Sequence, residues 1–489
     1  MNYYELFRAT LPETVLELAA LLVLIVDLGL LRKAGVRTRS VSAAFLGVIG
    51  CGVAVWAVSI APALHFGSTL LLTVGGTAGV AQCSILILTG ITLLLLVDCI
   101  FTRNPGEYVA VVLMAAAGGL LIAAAQDLLV IFTGLELLSV SLYILAAFAK
   151  KSAASAEGAL KYYLFGGMSA AFLLFGFSYL YGLSASTSLP QVVLGVSIAS
   201  LNGGVALVSV ALVMIAVGLG FKVAAVPFHF WAPDTYEGAP APAAAFIASV
   251  SKVASFALLI SIGTALMPGH AAAQSWSLIL AVLAAASMIL GNLAALAQTS
   301  VRRLVAYSAI AHAGYILLGL AYFKADGRSA QAILYYILTY ALTTIGTFGV
   351  VSAVERGTGN DSIGNFAGLH RRNPVLAAVL LVLFLSLAGI PPLVGFWAKF
   401  NLFAAVLMAG GGIAPFALVA LAVAFSAVSL YYYLQVLKQA YVAAPAHDTK
   451  IKAGPITMLV LVAIALAVIA LGVFPAYLQN WIAGFYPAM

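Results

Sequence analysis

Fourteen apolar runs, each long enough to cross a lipid bilayer, occupy most of this chain and leave little between them. They lie at 11–31, 41–61, 78–102, 107–125, 127–149, 157–183, 205–230, 240–266, 275–298, 301–322, 330–354, 374–404, 414–440 and 455–482. A membrane-spanning helix needs about 20 mostly apolar residues. Inside the hydrocarbon every backbone N–H and C=O must be bonded within the protein, so only helices and closed barrels cross it. The runs are continuous rather than alternating, which selects helices. Composition agrees. Of 489 residues 64% are hydrophobic and 8% charged, against about 45–50% and about 25% in soluble domains, and the mean hydropathy is +1.14. A soluble globule, a disordered chain and a coiled coil are excluded. The fold class that follows is an all-α polytopic membrane protein of about 14 transmembrane helices, with no soluble domain.

The same reading removes several functions. The net charge of +7 comes from scattered residues; without a dense basic run carrying aromatics, no nucleic-acid partner is expected. Cys51, Cys83 and Cys99 are isolated in apolar stretches and form no CxxC pair, so neither a metal site nor a redox pair is expected. No GxxxxGK[ST] loop occurs, which speaks against ATP drive. No cysteine set could hold an iron–sulfur cluster, and His229 and His312 are not read as haem ligands. The start of the chain carries Glu5, Glu13 and Glu17 instead of a basic region, so the first run is read as retained rather than cleaved.

Lysine and arginine placement gives an orientation. The loops after odd-numbered segments hold Arg32, Lys33, Arg37, Arg39, Arg103, Lys150, Lys151, Arg302, Arg303, Arg356, Arg371, Arg372, Lys438, Lys450 and Lys452. The other side, with both termini, holds only Arg8, Lys324 and Arg328. Fifteen against three is a positive-inside pattern that puts both termini outside and requires an even number of crossings.

The sequence also repeats itself. Tyr162-Tyr163 and Tyr335-Tyr336 lie 173 residues apart in similar apolar contexts. One segment earlier, Tyr143-Ile-Leu recurs 172 residues on as Tyr315-Ile-Leu. One segment later, Pro227 precedes Phe230-Trp231, and Pro391-Pro392 precede Phe396-Trp397. Proline removes a backbone donor and clashes with the preceding turn, so segments 7 and 12 are expected to be broken or kinked. Five segments per copy would invert the second copy, and inverted repeats with a broken helix in each half are a transporter signature.

Charges remain inside the segments. Lys161, Lys222, Lys252, Lys399, Glu136 and His312 all fall within apolar runs. Each ionisable group at a helix centre costs roughly 2.5–3.5 kcal/mol on insertion scales, and the default reason to carry it is an ion or proton path. Lys252 lies near the midplane, Lys222 just ahead of Pro227, and Lys399 seven residues after Pro392. Burial lowers a lysine's pKa toward neutrality, and a change of charge at one site shifts the next. Glu136, Lys222, Lys252 and Lys399 are therefore expected to form a proton relay. Lys161, four residues after Glu157, suits a surface pair as well as the path. His312 and His229 suit either proton transfer or a bond between helices. Asp27, outside the repeat, is expected to join two helices.

The run Lys222-Val-Ala-Ala-Val-Pro-Phe-His-Phe-Trp-Ala-Pro-Asp-Thr-Tyr-Glu-Gly-Ala-Pro-Ala-Pro resembles the signature of the antiporter-like subunits of respiratory complex I. Tyr236–Pro240, Ser251-Lys252, Glu136-Leu-Leu-Ser and Arg303-Leu-Val-Ala-Tyr-Ser-Ala-Ile-Ala-His312 look like the subunit N branch of bacterial NADH-quinone oxidoreductases. The resemblance runs over the full length. It implies segments 1–3 in residues 1–106, inverted five-helix repeats in 107–266 and 275–440, and segment 14 in 441–489. It implies that Glu136 pairs with Lys222, that Lys252 is the central relay, and that Lys399 is the outlet. NADH oxidation and quinone reduction, with FMN and iron–sulfur clusters, would belong to other subunits, leaving no cofactor here. The partners implied are the neighbouring subunit M, small subunits such as K and J, and the lipid of a bacterial inner membrane. A subunit of a multi-component Na⁺/H⁺ antiporter is the alternative; Tyr236–Pro240 favours the complex I resemblance.

Overall fold

The computed structural model describes residues 7–60, 71–266, 271–324, 327–445 and 449–486; Glu5 lies outside them. The first helices are α1 (Leu11–Ile25), α2 (Val36–Ile60), α3 (Gly76–Leu96), α4 (Pro105–Ala124), α5 (Leu128–Ala146), α6 (Ala153–Ser184) and α7 (Leu189–Leu201). The middle holds α8 (Val205–Val223), α9 (Trp231–Gly238), α10 (Ala241–Ala248), α11 (Val250–Leu266), α12 (Ala271–Leu296), α13 (Val301–Ala321) and α14 (Arg328–Thr358). The last are α15 (Leu369–Arg372), α16 (Pro374–Ala388), α17 (Val394–Ala409), α18 (Ile413–Tyr441), α19 (Pro455–Val473) and α20 (Pro475–Ala483).

Among the described residues, 12 helices are long and apolar enough to cross a membrane. The two other expected crossings are composite. Segment 1 is α1 continued by a π-helical turn, Val26–Leu30, and segment 12 is the pair α16 and α17. Segment 7 does not run on to residue 230: α8 stops at Val223, because Ala224 turns into the left-handed region (φ 59°) and Pro227 follows. The short apolar α7 lies between segments 6 and 7, where the run lengths predict no crossing. The most enclosed spans are Ala241–Ala265, α13 and α14, which therefore form the centre. The outer helices turn large apolar side chains outward, such as Leu164 and Phe175 of α6, as lipid-facing helices do.

Loops following odd-numbered segments meet on one face. Asp27 accepts Arg39 Nε at 2.7 Å and Nη2 at 2.6 Å, and Arg39 also reaches the Arg103 carbonyl. This is the helix–helix contact expected of Asp27. Arg356 bonds the Asp98 carbonyl, and the Asp98 carboxylate accepts Thr457 N at 2.9 Å. Lys161, Asp234, Glu237, Arg302, Arg303 and Glu355 join the same face. The other loops meet elsewhere: Thr73 N bonds the Ala124 carbonyl and Leu189 N the Gln126 carbonyl.

Two short antiparallel bridges mark corresponding places. Asp127 pairs with Ser188 at the start of α5, and Ser300 with Ser362 at the start of α13. The partners are 173 and 174 residues apart. Each first residue caps its helix with a side-chain oxygen, which satisfies otherwise orphan amides. Asp127 does so among the loops after even-numbered segments, and Ser300 among those after odd-numbered ones.

Candidate functional site: a row of buried lysines

Lys222, Lys252 and Lys399 are 8%, 1% and 7% exposed. Each ammonium is held by neutral oxygens and lies over an aromatic ring. Cation–ring attraction grows as both groups are desolvated.

Lys222 stands in the last turn of α8, where the helix dipole favours a cation. Its Nζ donates to Ser139 Oγ and lies 6.0 Å from the centroid of the Tyr143 ring. Glu136, Ser139 and Tyr143 share one face of α5 by helical spacing. Glu136 enters no ion pair among the described residues. The described partner of Lys222 is the Ser139 hydroxyl, which itself donates to the Leu135 carbonyl.

Lys252, on α11, donates to the Ala309 carbonyl at 2.6 Å and lies 5.5 Å from the Tyr340 ring centroid. One turn beyond Ala309 on α13 is His312. Its Nδ1 is 2.7 Å from the Tyr336 hydroxyl, and its ring centroid is 5.0 Å from that of Tyr340 and 5.7 Å from that of Tyr315. Its Nε2 has no hydrogen-bond partner among the described residues. On the far side, Lys399 Nζ lies 5.4 Å from the Tyr315 centroid. Lys252, Tyr340, His312, Tyr315 and Lys399 thus form one buried row in which each member faces the next.

Lys399 also donates to the Ala388 carbonyl at 2.8 Å and to Ser426 Oγ at 2.7 Å. Ala388 ends α16, so its carbonyl is one of those a helix leaves without an internal partner. The break at 389–393 therefore supplies the acceptor that a buried ammonium needs. Asn292 extends the network, donating to the Tyr315 hydroxyl and accepting from that of Tyr432.

Other residues singled out from sequence fall elsewhere. Lys161 is half-exposed and ion-paired to Glu157 at 2.7 Å and Asp234 at 2.6 Å, away from the row. His229 is buried in the first break; its Nδ1 has no hydrogen-bond partner among the described residues, and its ring lies against Phe230. No described hydrogen bond joins Lys222 to Lys252. No group of three or more His, Cys, Asp or Glu among the described residues could hold a metal. Sequence reasoning overlooked the residues that receive the lysines: Ser139, Ser426, the tyrosines, and two carbonyls. One signal was present. Tyr143 and Tyr315, which open the two Tyr-Ile-Leu runs of the sequence, lie beneath Lys222 and Lys399 respectively.

A polytopic bundle with two proline-broken helices and a row of buried lysines defines an ion-translocating membrane protein. Residues 125–426 match the family described as NADH:quinone oxidoreductase/Mrp antiporter, TM. The chain is 47% identical over 502 aligned positions to NADH-quinone oxidoreductase subunit N 2 of Acidobacterium capsulatum, covering 99% of each. A chain of respiratory complex I from Thermus thermophilus with bound aureothin superposes with a TM-score of 0.78 at 32% identity, over 96% of this chain and 98% of that one. The chain belongs to the subunit N family of NADH-quinone oxidoreductase and is an antiporter-like, proton-translocating membrane subunit of that enzyme complex. A chain of the Mrp complex from Dietzia sp. DQ12-45-1b shares the fold (TM-score 0.76, 22% identity, 97% and 98% covered), which does not favour the antiporter alternative.

Proposed function

We propose that this subunit carries protons through Glu136, Lys222, Lys252, His312 and Lys399, with Lys252 as the central store and Lys399 as the outlet. The observation that carries the reading is the unbroken row from Lys252 through His312 to Lys399. Its members are buried and titratable or hydroxyl-bearing, and its two lysines are anchored to neutral oxygens that leave them free to lose the proton. A buried ammonium costs several kcal/mol less when a nearby site changes charge in its favour, so neighbouring sites exchange protons in turn. Glu136 shares a helix face with Ser139, the hydroxyl that accepts from Lys222, and acts on Lys222 through its charge rather than through a direct bond.

The division into 1–106, inverted repeats 107–266 and 275–440, and 441–489 is part of the proposal. The bridges at Asp127 and Ser300, one on each face, support it. The loop charges support an orientation with both termini periplasmic, in the bacterial inner membrane that the resemblance implies. NADH and quinone chemistry, with FMN and iron–sulfur clusters, takes place in other subunits; subunit M and small subunits such as K and J are the proposed neighbours. Lys161 and His229 are left outside the path.

The test is neutral substitution in the assembled complex. Lys222→Ala and Lys252→Ala are each expected to reduce protons moved per NADH oxidised in membrane vesicles. Pumping at the wild-type ratio in both would refute the relay.

A further inference from the structure

Two sequence segments that stand out, the one around Asp234 and Glu237 and the one opening at Arg303, meet in space. Arg303 Nη1 is 2.6 Å from Asp234 Oδ1 and 2.8 Å from Glu237 Oε2. Arg302 donates to the Glu237 carbonyl at 3.0 Å and the Ala239 carbonyl at 2.8 Å, and pairs with Glu355. Two consecutive arginines of α13 therefore clamp α9, the segment that follows the first break. Helix C-termini leave carbonyls unpaired, and Arg302 satisfies two of them.

The clamp has a continuous packing route to each lysine. Toward Lys222, Trp231 of α9 donates from Nε1 to the Phe221 carbonyl at 3.1 Å, across the break. The Tyr162 ring stacks on Trp231 at 4.1 Å and meets Tyr143 edge-on at 4.8 Å. Tyr143 is the ring beneath Lys222. Toward Lys252, the route is α13 itself: Arg303 lies six residues before Ala309, whose carbonyl holds the ammonium. Asp234 additionally bonds Lys161 of α6, so it is shared between the two sides.

We propose that Asp234 and Arg303 are positioning residues that couple the Lys222 site to the Lys252 site, rest on the relay described above, and take no proton themselves. A shift of the broken helix that accompanies a change of charge at Lys222 moves α9. Through the clamp it moves α13, and with it the acceptor of Lys252. Coupling of this kind needs contiguous packed elements biased by both sites, which is what the Trp231–Tyr162–Tyr143 stack and α13 provide.

The test uses the assembled complex in native membranes. Asp234→Asn, Arg303→Gln and the charge-exchanged double variant Asp234→Arg with Arg303→Asp are compared for protons moved per NADH oxidised, with assembly followed on native gels. A merely structural role changes the amount of complex and not that ratio. Each single variant is expected to lose at least about half of what Lys252→Ala loses, and the exchanged pair to recover part of it. A wild-type ratio in the single variants overturns the proposal, as does a loss that exchange does not relieve. If the neutral variants do not assemble, Arg303→Lys keeps the charge while shifting it off Asp234. A lowered ratio there supports the coupling and a wild-type ratio overturns it. The relay itself fails separately, if Lys222→Ala and Lys252→Ala pump normally. If those two variants fail to pump while the clamp variants pump normally, only the coupling is wrong.

Discussion

The two broken helices place a lysine beside a repeat-matched tyrosine, yet they are held differently. At the first break, residues 224–230, the lysine precedes the break and leans on Ser139. The helix that follows is fixed by ion pairs to α13. At the second, residues 389–393, the lysine follows the break and reaches back across it to the Ala388 carbonyl. Neutral contacts hold this break: Gly395 N donates to Ser386 Oγ at 3.2 Å, and Trp397 Nε1 to the Gly472 carbonyl at 2.8 Å. The turn residues differ too, Ala224 at φ 59° against Gly389 at φ 89°. The first break is thus tied electrostatically to the other half of the molecule, while the second is tied by close packing to α16 and α19.

Close packing makes the second break the more fragile. A Cβ on Gly395 would strike the Ser386 carbonyl oxygen, and overpacking of this kind costs about 1–3 kcal/mol. Gly395→Ala is expected to release this subunit from the heated complex at a clearly lower temperature, read on native gels. Unchanged melting would show that the second break yields as readily as the first.

Exchanging the turn residues should give opposite signs. Left-handed backbone costs a residue with a Cβ roughly 1–2 kcal/mol, and a Cβ on Gly389 would also lie 2.9 Å from Lys399 Cδ. Gly389→Ala is expected to destabilise. Ala224→Gly is expected to stabilise by about 0.5 kcal/mol, after the added freedom of the unfolded chain is counted. Melting shifts of the same sign would remove the distinction between the turns.

The smallest effect separates the breaks by salt and acid. Burial raises the Asp234 carboxyl, but hydrogen bonds from Lys161 and Arg303 outweigh it and hold it below the usual carboxylate range. A carboxyl so depressed stabilises fully above its unfolded pKa, about 3.9, and loses that contribution as pH falls below it. The pair is partly exposed, so it is worth about 0–1 kcal/mol and is screened by salt. High salt or acid should loosen α9, measured by hydrogen exchange at 231–238, and leave 394–409 unchanged. Equal loosening of both segments would count against an electrostatic tie at the first break alone.

The spans were legible because bilayer thickness sets their length, and the breaks because Pro227 and Pro391-Pro392 interrupt otherwise apolar runs. Where helices end was less legible: α8 stops at Val223 because Ala224 leaves helical geometry, and alanine gives no warning of that. The lysines were legible since charge in hydrocarbon is costly. Their acceptors were not, because serine hydroxyls and the carbonyls of Ala309 and Ala388 look ordinary in sequence. The i,i+4 spacing exposed Glu157 with Lys161, whereas Asp234, 73 residues from Lys161, could be joined to it only by the fold. Tyr143 and Tyr315 were visible as a repeat, but their place beneath two lysines required packing.

The central claim is that protons pass from Lys252 to Lys399 by way of His312. His312→Gln keeps an amide able to bond the Tyr336 hydroxyl but cannot take up a proton. Protons moved per NADH oxidised, measured in vesicles with the assembled complex, should fall as far as they do for Lys252→Ala while NADH oxidation persists. A wild-type ratio in His312→Gln would contradict the row as the path.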